Sequence, residues 1–164
     1  MTQSDTDFTD YFALRATTLR QFAYALCGDW HTAEDLVQTT FVRLYLNWRR
    51  LRRDSLDAYT RRVLVNVFLS HRRDRRRERV VAEPPEVSVT DATDASGREE
   101  VGRALQRLPA RQRAVVVLRH LEDMSVAEVA DLLGMAEGTV KSQTARGVEA
   151  LRQALKTPAP AKER

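Results

Sequence analysis

Apolar residues recur at intervals of three and four through the first half of the chain, which is the period of amphipathic α-helices. One apolar stripe covers residues 8–27 and stops at Gly28, a residue type that commonly ends helices. A second stripe follows Thr32 and extends to Trp48, and Thr32 and Asp35 have the spacing of a capping box. The pattern predicts a first helix over residues 8–27 and a second helix that opens at Thr32.

A third apolar stripe predicts a helix that begins near Asp54 or Ser55 and gives way to the arginine-rich sequence HRRDRRRER. Its buried positions are expected to be Leu56, Tyr59, Val63 and Val67. Residues 80–97 show no periodic apolar pattern. They combine two prolines, acidic residues, serine and threonine with a final glycine. Such a composition is typical of a flexible linker, so we expect two small helical domains, over residues 8–79 and 98–156.

Helical periodicity resumes after this linker. Pro109 stands at the start of a helix, a position where proline is well tolerated. Ser125 and Glu128 form another capping-box pattern, and Gly134 ends the short helix that they open. A longer helix is expected over residues 137–155. A short helix, a glycine turn and a longer second helix together predict a helix-turn-helix.

The residues of this last helix divide into two faces. The face expected to pack inward holds Val140, Thr144, Val148, Leu151 and Leu155. On the opposite face, Lys141 and Arg146 are long enough to reach guanine edges or phosphates. Ser142 and Ala145 between them are small enough to let the helix enter a DNA major groove. This face is typical of a recognition helix, and an ordinary helical hairpin with a solvated side is the alternative.

Charge is distributed in blocks along the 164 residues. Residues 43–79 carry thirteen arginines against four acidic residues, whereas residues 1–42 and 80–100 are net acidic. One strongly basic segment on a chain that is not basic throughout is typical of nucleic-acid contact. A solvated arginine-rich helix end without a partner is the alternative.

Composition excludes several other classes of protein. A single cysteine, Cys27, cannot form an internal disulfide framework. No apolar run approaches the roughly 18 residues of a membrane span, so we expect no membrane insertion and a cytoplasmic location. Catalytic patterns, metal-ligand clusters and a glycine-rich phosphate loop are missing from the sequence. These absences predict a protein that is not an enzyme and needs no cofactor.

Two further helical surfaces carry candidate binding residues. One stripe of the third helix, with spacings of four, three and four, holds Arg62, Asn66, Leu69 and Arg73. Arginine and asparagine bind unstacked bases and backbone well, although plain solvated surface also explains the stripe. The outer side of the second helix includes Val42 and Leu46 and is too apolar to be purely solvated. Either a protein partner or packing within the same domain would account for it.

Taken together, these features resemble the group 4, or extracytoplasmic-function, sigma factors of bacterial RNA polymerase. The sequence HTAEDLVQTTFVRLYLNW is similar to the A-E-D-L-V-Q-E-T-F element of region 2, and LDAYTRRVLVNVFLSHRRDRRR is similar to the segment that follows it. Residues 104–155 are similar to region 4, with the motifs L-P-x-x-x-R, S-x-x-E-[IV]-A and G-T-V-K-S. The arginine bias is similar to that of actinobacterial members.

The resemblance implies an all-α fold in two small domains joined by a flexible linker, and it implies roles for individual residues. Binding of region 2 to the β′ clamp helices of polymerase is implied for Asp35, Gln38, Thr39 and Arg43. Capture of a flipped −10 base is implied for Arg61, Arg62, Asn66 and Arg73. Reading of the −35 element by region 4 is implied for Thr139, Lys141, Ser142, Ala145 and Arg146, while another face holds the β flap.

The partners implied by the resemblance are core RNA polymerase, promoter DNA and an anti-sigma factor, and the free chain is expected to be a monomer. Thr39 departs from the family pattern, because a glutamate is common there. Ala136 replaces a usual serine, and Gln143 stands where the family often has arginine.

Two other functional classes are alternatives to a sigma factor. An operator-binding regulator with a LuxR-type output domain has a similar recognition helix and predicts a dimer that binds DNA without polymerase. Such a regulator is expected to carry a receiver or ligand domain, and residues 8–79 do not match one. A nucleic-acid enzyme requires acids or metal ligands at usable spacing, and the sequence does not supply them.

Overall fold

The structure is a computed structural model that describes residues 1–79 and 97–156. All regular secondary structure in those two ranges is helical, so the predicted all-α class is confirmed. The described residues form two compact units, one on each side of residues 80–96. The predicted linker therefore lies outside the described residues, except for Gly97, which begins a helix instead of ending the linker.

Unit 1 contains three long helices: α1 is Gln3–Cys27, α2 is Trp30–Asn47 and α3 is Leu56–Arg79. Two short 3-10 turns, Trp48–Arg50 and Arg53–Ser55, connect α2 to α3. Each helix contributes one face to a shared core, which includes Phe22, Leu26, Leu36, Phe41, Leu44, Trp48, Leu64 and Phe68. The three predicted helices are thus present, with differences at their ends.

The ends of α1 and α3 lie beyond the predicted ones. A capping box between Thr2 and Asp5 starts α1 five residues before residue 8, in a polar stretch that shows no apolar stripe. At the other end of the unit, α3 continues through the arginine run to Arg79, because arginine has a high helix propensity. Tyr59 on α3 is half-buried and not fully buried as predicted.

The predicted opening of α2 by Thr32 and Asp35 is wrong. Gly28 adopts a left-handed conformation, with φ of 76°, and its N–H closes α1 on the carbonyl of Tyr24 at 2.7 Å. The chain then turns so that the Asp29 carboxylate accepts hydrogen bonds from the Thr32 N–H at 2.9 Å and the Thr32 hydroxyl at 2.7 Å. Asp29 is therefore the N-cap, and Thr32 lies inside the first turn.

A polar cluster fastens α1 to α3. The Tyr11 hydroxyl donates to Asp57 Oδ1 at 2.9 Å and lies 3.0 Å from Thr60 Oγ1, while Arg15 pairs with Asp57 Oδ2 at 2.7 Å. Burial raises the pKa of Tyr11 to about 12, so its phenol stays protonated and can donate at every physiological pH. Asp57 thereby holds two residues of α1 in place.

Unit 2 contains four helices: α4 is Gly97–Gln106, α5 is Ala110–Val116, α6 is Val126–Leu133 and α7 is Glu137–Lys156. A π-helical turn, Val117–Leu121, continues α5. No aromatic residue occurs after Phe68 in the sequence. The core of unit 2 is consequently aliphatic, built from leucine, valine and alanine with one methionine.

The side chain of Arg113 on α5 is the one charged group in the core of the described residues, with 1% of its surface exposed. Its guanidinium donates to the carbonyls of Leu105 at 2.8 Å, Gln106 at 3.2 Å and Leu108 at 2.9 Å. The carbonyls of Leu105 and Gln106 lie in the last turn of α4, and that of Leu108 lies in the turn that follows. The C-terminal end of a helix attracts a cation. Arg113 therefore closes α4 and fixes it against α5.

Helices α5 and α7 pack closely at Gly147. A Cβ atom placed on Gly147 would overlap Cγ2 of Val116, and it would also lie 3.4 Å from Cγ of Gln112 and 3.8 Å from Cδ1 of Leu108. Glycine is therefore required by space, since the residue is helical and needs no special backbone angle. This contact fixes which side of α7 faces the core.

We expect Gly147→Ala to destabilise unit 2 by about 1–3 kcal/mol, because the added methyl group overpacks the contact with Val116. The matched control is Gly102→Ala in α4, where nothing lies within 4 Å of the added atom. That change is expected to raise stability by up to about 1 kcal/mol through helix propensity. Urea unfolding followed by circular dichroism measures both effects.

Tryptophan fluorescence supplies an internal reference for that experiment, since both tryptophans, Trp30 and Trp48, lie in unit 1. The fluorescence transition is expected to stay unchanged in either glycine variant. Equal loss of stability in the Gly147 and Gly102 variants would contradict the close-approach explanation.

A second prediction concerns the cap of α2. Hydrogen bonds from the side chain and backbone of Thr32 hold the pKa of Asp29 below its usual range. A group with a lowered folded-state pKa stabilises the fold above its unfolded pKa, about 3.9, and loses that contribution as the pH falls further. Asp29→Asn keeps a good cap but cannot titrate, so its stability should match that of the wild type near neutral pH.

The measurement is the free energy of unfolding of unit 1, by tryptophan fluorescence, at neutral pH and in acid. The wild type should lose up to about 1 kcal/mol relative to Asp29→Asn as the pH falls through the lowered pKa of Asp29. A difference between the two proteins that stays constant with pH would show that the carboxylate is not the cap.

Candidate polymerase and nucleic-acid interfaces

The short helix α6 is held at both ends. Ser125 is its N-cap, and the Ser125 hydroxyl oxygen accepts from the Glu128 N–H at 3.1 Å, as the sequence predicts. Gly134 ends the helix in a left-handed conformation, with φ of 63°. The Arg111 guanidinium on α5 donates to the carbonyl of Leu133 at 3.0 Å, so the turn is tied to the rest of unit 2. The predicted helix-turn-helix is present.

One side of α7 packs inward, though over a shorter length than the sequence predicts. Val140 is fully buried, and Gly147 takes the central contact with α5. Thr144, Val148 and Leu151 are only partly covered, whereas Leu155 is 45% exposed, so its predicted burial is wrong. The cause is length: α7 has 20 residues and packs against helices of seven to ten residues, so its last turn extends past them.

The opposite side of α7 is open to solvent. Every −35 candidate is exposed: Thr139, Lys141, Ser142, Ala145 and Arg146. The hydroxyl of Ser142 donates to the Thr139 carbonyl at 3.1 Å, which keeps this side chain close to the helix surface. These five residues are called the reading face below, and two of them, Lys141 and Arg146, are long and basic.

Gln143 lies in the same polar run of sequence but points away from the reading face. Its Oε1 accepts a hydrogen bond from Nε2 of Gln112 on α5 at 2.9 Å. The residue that replaces a common arginine of the family is therefore used to brace α7 against α5. The sequence gives no local signal for this contact, because the partner on α5 is 31 positions away.

The outer side of α2 is exposed along its whole middle section. Its polymerase candidates Asp35, Gln38, Thr39 and Arg43 are all exposed. Two apolar neighbours on the same side are exposed as well, Val42 by 59% and Leu46 by 75%. Among the described residues of unit 1 no other helix covers them, so packing between these helices does not explain their apolar character. These six residues are called the α2 face below.

The four −10 candidates lie on one helix, α3. Asn66 and Arg73 are exposed, while Arg61 and Arg62 are half-buried. Leu69, the apolar member of the predicted stripe, is also half-buried. Because α3 continues as a regular helix beyond Arg73, the candidates keep a fixed spacing along one element.

Sequence reasoning missed three basic residues beside the reading face. Arg119 and His120 come from the π-helical turn after α5, and Arg152 comes from α7. Together with Lys141 they line a surface recess of about 530 Å³. Their positions carry no local signal, because residues more than 30 positions apart meet only once α5 and α7 are packed.

Among the described residues, no three histidine, cysteine, aspartate or glutamate side chains lie together as metal ligands. The thiol of Cys27 donates to the carbonyl of Asp29 at 3.2 Å, at the turn between α1 and α2. A search of the same residues for helices long and apolar enough to span a membrane finds none.

Comparison with known proteins connects the two units to one family. The family described as "Sigma-70 region 2" matches residues 13–78, and the family described as "Sigma-70, region 4" matches residues 98–151. The region 2 match accounts for the part of the chain that the operator-binding alternative leaves unexplained.

Relatives and solved structures agree with these matches. The RNA polymerase sigma-E factor of Streptomyces avermitilis is 40% identical, over 92% of this chain and 86% of that protein. The ECF RNA polymerase sigma factor SigE of Mycolicibacterium smegmatis is 33% identical, over 85% of this chain and 58% of that protein. A chain in the co-crystal structure of the sigma factor RpoE with the anti-sigma factor NepR from Bartonella quintana is 29% identical. It has a TM-score of 0.73 and covers 93% of this chain and 99% of that chain.

Both domain matches, the identity to curated relatives and the shared architecture point the same way. The chain belongs to the sigma-70 family of RNA polymerase sigma factors and, within it, to the extracytoplasmic-function group.

Proposed function

We propose that the chain uses three exposed helical surfaces: one binds polymerase, and two recognise promoter DNA. As a sigma factor it directs RNA polymerase to promoters. RNA synthesis itself is left to polymerase, and the chain supplies specificity and promoter opening without a catalytic site or a cofactor of its own. The domains are taken as residues 8–79 for region 2 and 98–156 for region 4, joined by residues 80–97.

Polymerase binds the α2 face through the β′ clamp helices. The observation that supports this assignment is the exposure of Val42 and Leu46 between charged and polar neighbours. An apolar strip rimmed by polar residues is typical of a protein interface. Asp35, Gln38, Thr39 and Arg43 supply the rim, and their hydrogen-bonding groups set the register of the complex.

The −10 element is captured on α3. Asn66 and Arg73 are exposed and lie seven positions apart, two turns along one side of the helix. Arg61 and Arg62 add positive charge about one turn before Asn66. Such a row suits an unstacked base with its flanking phosphates, because arginine and asparagine provide several hydrogen-bond donors each.

The −35 element is read by the reading face of α7, and this face is the single observation that carries the proposed function of region 4. Thr139, Ser142 and Ala145 are small and exposed, so the helix backbone can approach base edges in the major groove. Lys141 and Arg146 extend from it toward guanine edges or phosphates. Another side of unit 2 is left for the β flap.

An anti-sigma factor is the remaining expected partner. The RpoE structure that resembles this chain contains the anti-sigma factor NepR, which supports the same kind of partner here. Such a partner would act by covering surfaces that polymerase needs. The chain is proposed to work in the cytoplasm and to be a monomer when free.

Run-off transcription with purified core RNA polymerase tests the proposed function. Genomic fragments of the source bacterium serve as templates, and the chain should produce discrete transcripts that core polymerase alone does not. Leu46→Glu should abolish them by placing a charge on the α2 face. The matched control is Leu14→Glu on α1, also an exposed leucine, at 70%. Absence of any transcript with the wild-type chain would refute the proposal.

A further prediction concerns DNA reading. Arg146→Ala should cost about 1–3 kcal/mol of binding at one base pair of the −35 element if the guanidinium contacts guanine with two hydrogen bonds. Holoenzyme binding to a set of single-base variants of a selected promoter measures this loss position by position. Arg107→Ala, at an exposed arginine outside the reading face, is the matched control. Equal losses on every sequence would show that Arg146 contacts a phosphate instead.

A further inference from the structure

Gln143 is a polar residue in the row of α7 that faces the interior of unit 2. It lies three positions after Val140 and four positions before Gly147, so the three residues share one side of the helix. Val140 is fully buried, and Gly147 makes the close contact with Val116 on α5. Between these two apolar positions, Gln143 accepts the hydrogen bond of 2.9 Å from Gln112. The packing of α7 on α5 thus includes one polar pair.

This pair supplies what the apolar contacts lack, which is direction. Val140 and Gly147 hold α7 close to the rest of unit 2, but the hydrophobic effect that drives their burial is not directional. A hydrogen bond weakens steeply when its donor and acceptor are misaligned. A polar residue in a helix seam can for this reason select one packing arrangement while adding little stability. We therefore expect the pair to restrict how far α7 can turn about its own axis.

The orientation of α7 matters because Gln143 borders the reading face. Ser142 directly precedes it, and Thr139 and Arg146 lie four positions before it and three after it, so they are its neighbours on the helix surface. Side chains extend about 5–6 Å from a helix axis, so a turn of about 20° moves their ends by about 2 Å. Hydrogen bonds to a base edge form over a range of only about 0.5 Å. A small turn of α7 would therefore change which bases the reading face contacts.

The residue next to Gln112 acts on the other helix of the helix-turn-helix. Arg111 donates to the carbonyl of Leu133 at the end of α6, whereas Gln112 donates to Gln143 in the first half of α7. Two adjacent residues of α5 thus attach the two helices separately. The helix that carries them is itself fixed to α4 through Arg113. The first turn of α5 is therefore placed to set the position of α7 relative to α6.

We propose that Gln112 and Gln143 are a positioning pair, which sets the turn of α7 about its axis and thereby the base preference of the reading face. The pair acts through the orientation of α7 and not through a contact of its own with DNA. This inference rests on the proposed role of α7 in reading the −35 element. Loss of the hydrogen bond should change which base pairs are preferred, whereas loss of a merely structural contact would weaken binding to all sequences alike.

Two substitutions of Gln112 separate the hydrogen bond from the side chain that makes it. Gln112→Met keeps a side chain of similar length but removes the donor. Gln112→Glu keeps a hydrogen bond, because the amide of Gln143 can turn and donate to the new carboxylate. The matched control is Gln153→Met on α7, which removes a hydrogen bond of 3.0 Å to Glu149 within the same helix and leaves the contact with α5 in place.

The measurement is holoenzyme binding to a duplex selected from a random library and to its single-base variants in the −35 element. Gln112→Met should lower the ratio of affinities between the selected duplex and these variants severalfold. Gln112→Glu and Gln153→Met should keep the wild-type ratios. Wild-type ratios in Gln112→Met would overturn the proposal. An equal loss of affinity on every duplex would overturn it too, because the pair would then be structural only.

A double-mutant cycle distinguishes positioning from a direct contact of Gln143 with DNA. Gln143→Met removes the acceptor, so it tests the same hydrogen bond from its other side and replaces Gln112→Met if that variant does not fold. If the pair acts as one unit, the double variant should change the affinity ratios no more than either single variant does. Additive changes would show that Gln143 contributes independently of Gln112 and would overturn the proposal.

A second measurement does not depend on DNA or polymerase. In nuclear magnetic resonance spectra of the full chain, the backbone amide signals of Thr139, Ser142 and Arg146 should shift in Gln112→Met and stay unchanged in Gln153→Met. Unchanged signals in Gln112→Met would show that α7 keeps its orientation without the pair, which contradicts the proposal. Failure of the wild-type chain to select any duplex with core polymerase would instead refute the function on which the proposal rests, so the two failures are distinguishable.

Discussion

The size of each unit is the constraint on which the rest of the structure depends. A domain of about 60 residues buries only about 60% of the surface that its unfolded chain exposes, so each helix can hide one face and must leave another in water. In unit 1 this leaves the apolar residues Val42 and Leu46 on the outside of α2. In unit 2 it leaves the reading face of α7 exposed. Every surface proposed for polymerase or DNA is a face that a domain of this size cannot bury.

A small number of specific contacts on the buried side of a helix determine which of its faces is exposed. Gly147 allows α7 to approach α5 so closely that rotation of α7 about its axis would bring a side chain into Val116. Gln143 adds a hydrogen bond to the same pair of helices, and Arg113 fixes α4 against α5 through three carbonyls. The reading face is therefore held in place by residues that do not belong to it.

The sequence was sufficient to predict the elements because apolar spacing reflects burial directly. It predicted the cap at Ser125 from local residues alone, and it predicted an apolar outer side for α2. The same kind of local pattern gave the wrong N-cap for α2 at Thr32. The chain turns at Gly28, and Asp29 directly after this turn caps the helix instead. The capping-box pattern at Thr32 contains nothing that reveals this turn.

Features formed between two helices that are distant in the sequence could not be predicted. The contact between Gly147 and Val116 joins residues 31 positions apart, and the recess joins Arg119 to Arg152. Neither separation in sequence corresponds to a helical period, so no local pattern predicts these contacts. The exposure of Leu155 has the same origin, because it depends on where the shorter neighbouring helices end.

The two surfaces proposed for DNA are small, and this limits what either can do alone. A single recognition helix buries only about 600–1,000 Å² of protein surface, and opening a base pair at the −10 element costs a few kcal/mol more. Core polymerase can hold both domains on one promoter and thereby convert two weak contacts into one strong one. Selective DNA binding is therefore required to depend on polymerase.

Titration of a labelled promoter duplex with the full chain, in the presence and absence of core polymerase, tests that requirement most directly. We expect weak, salt-sensitive and poorly selective binding by the chain alone, and tight, sequence-selective binding when core polymerase is added. Tight and selective binding by the chain without polymerase would contradict it.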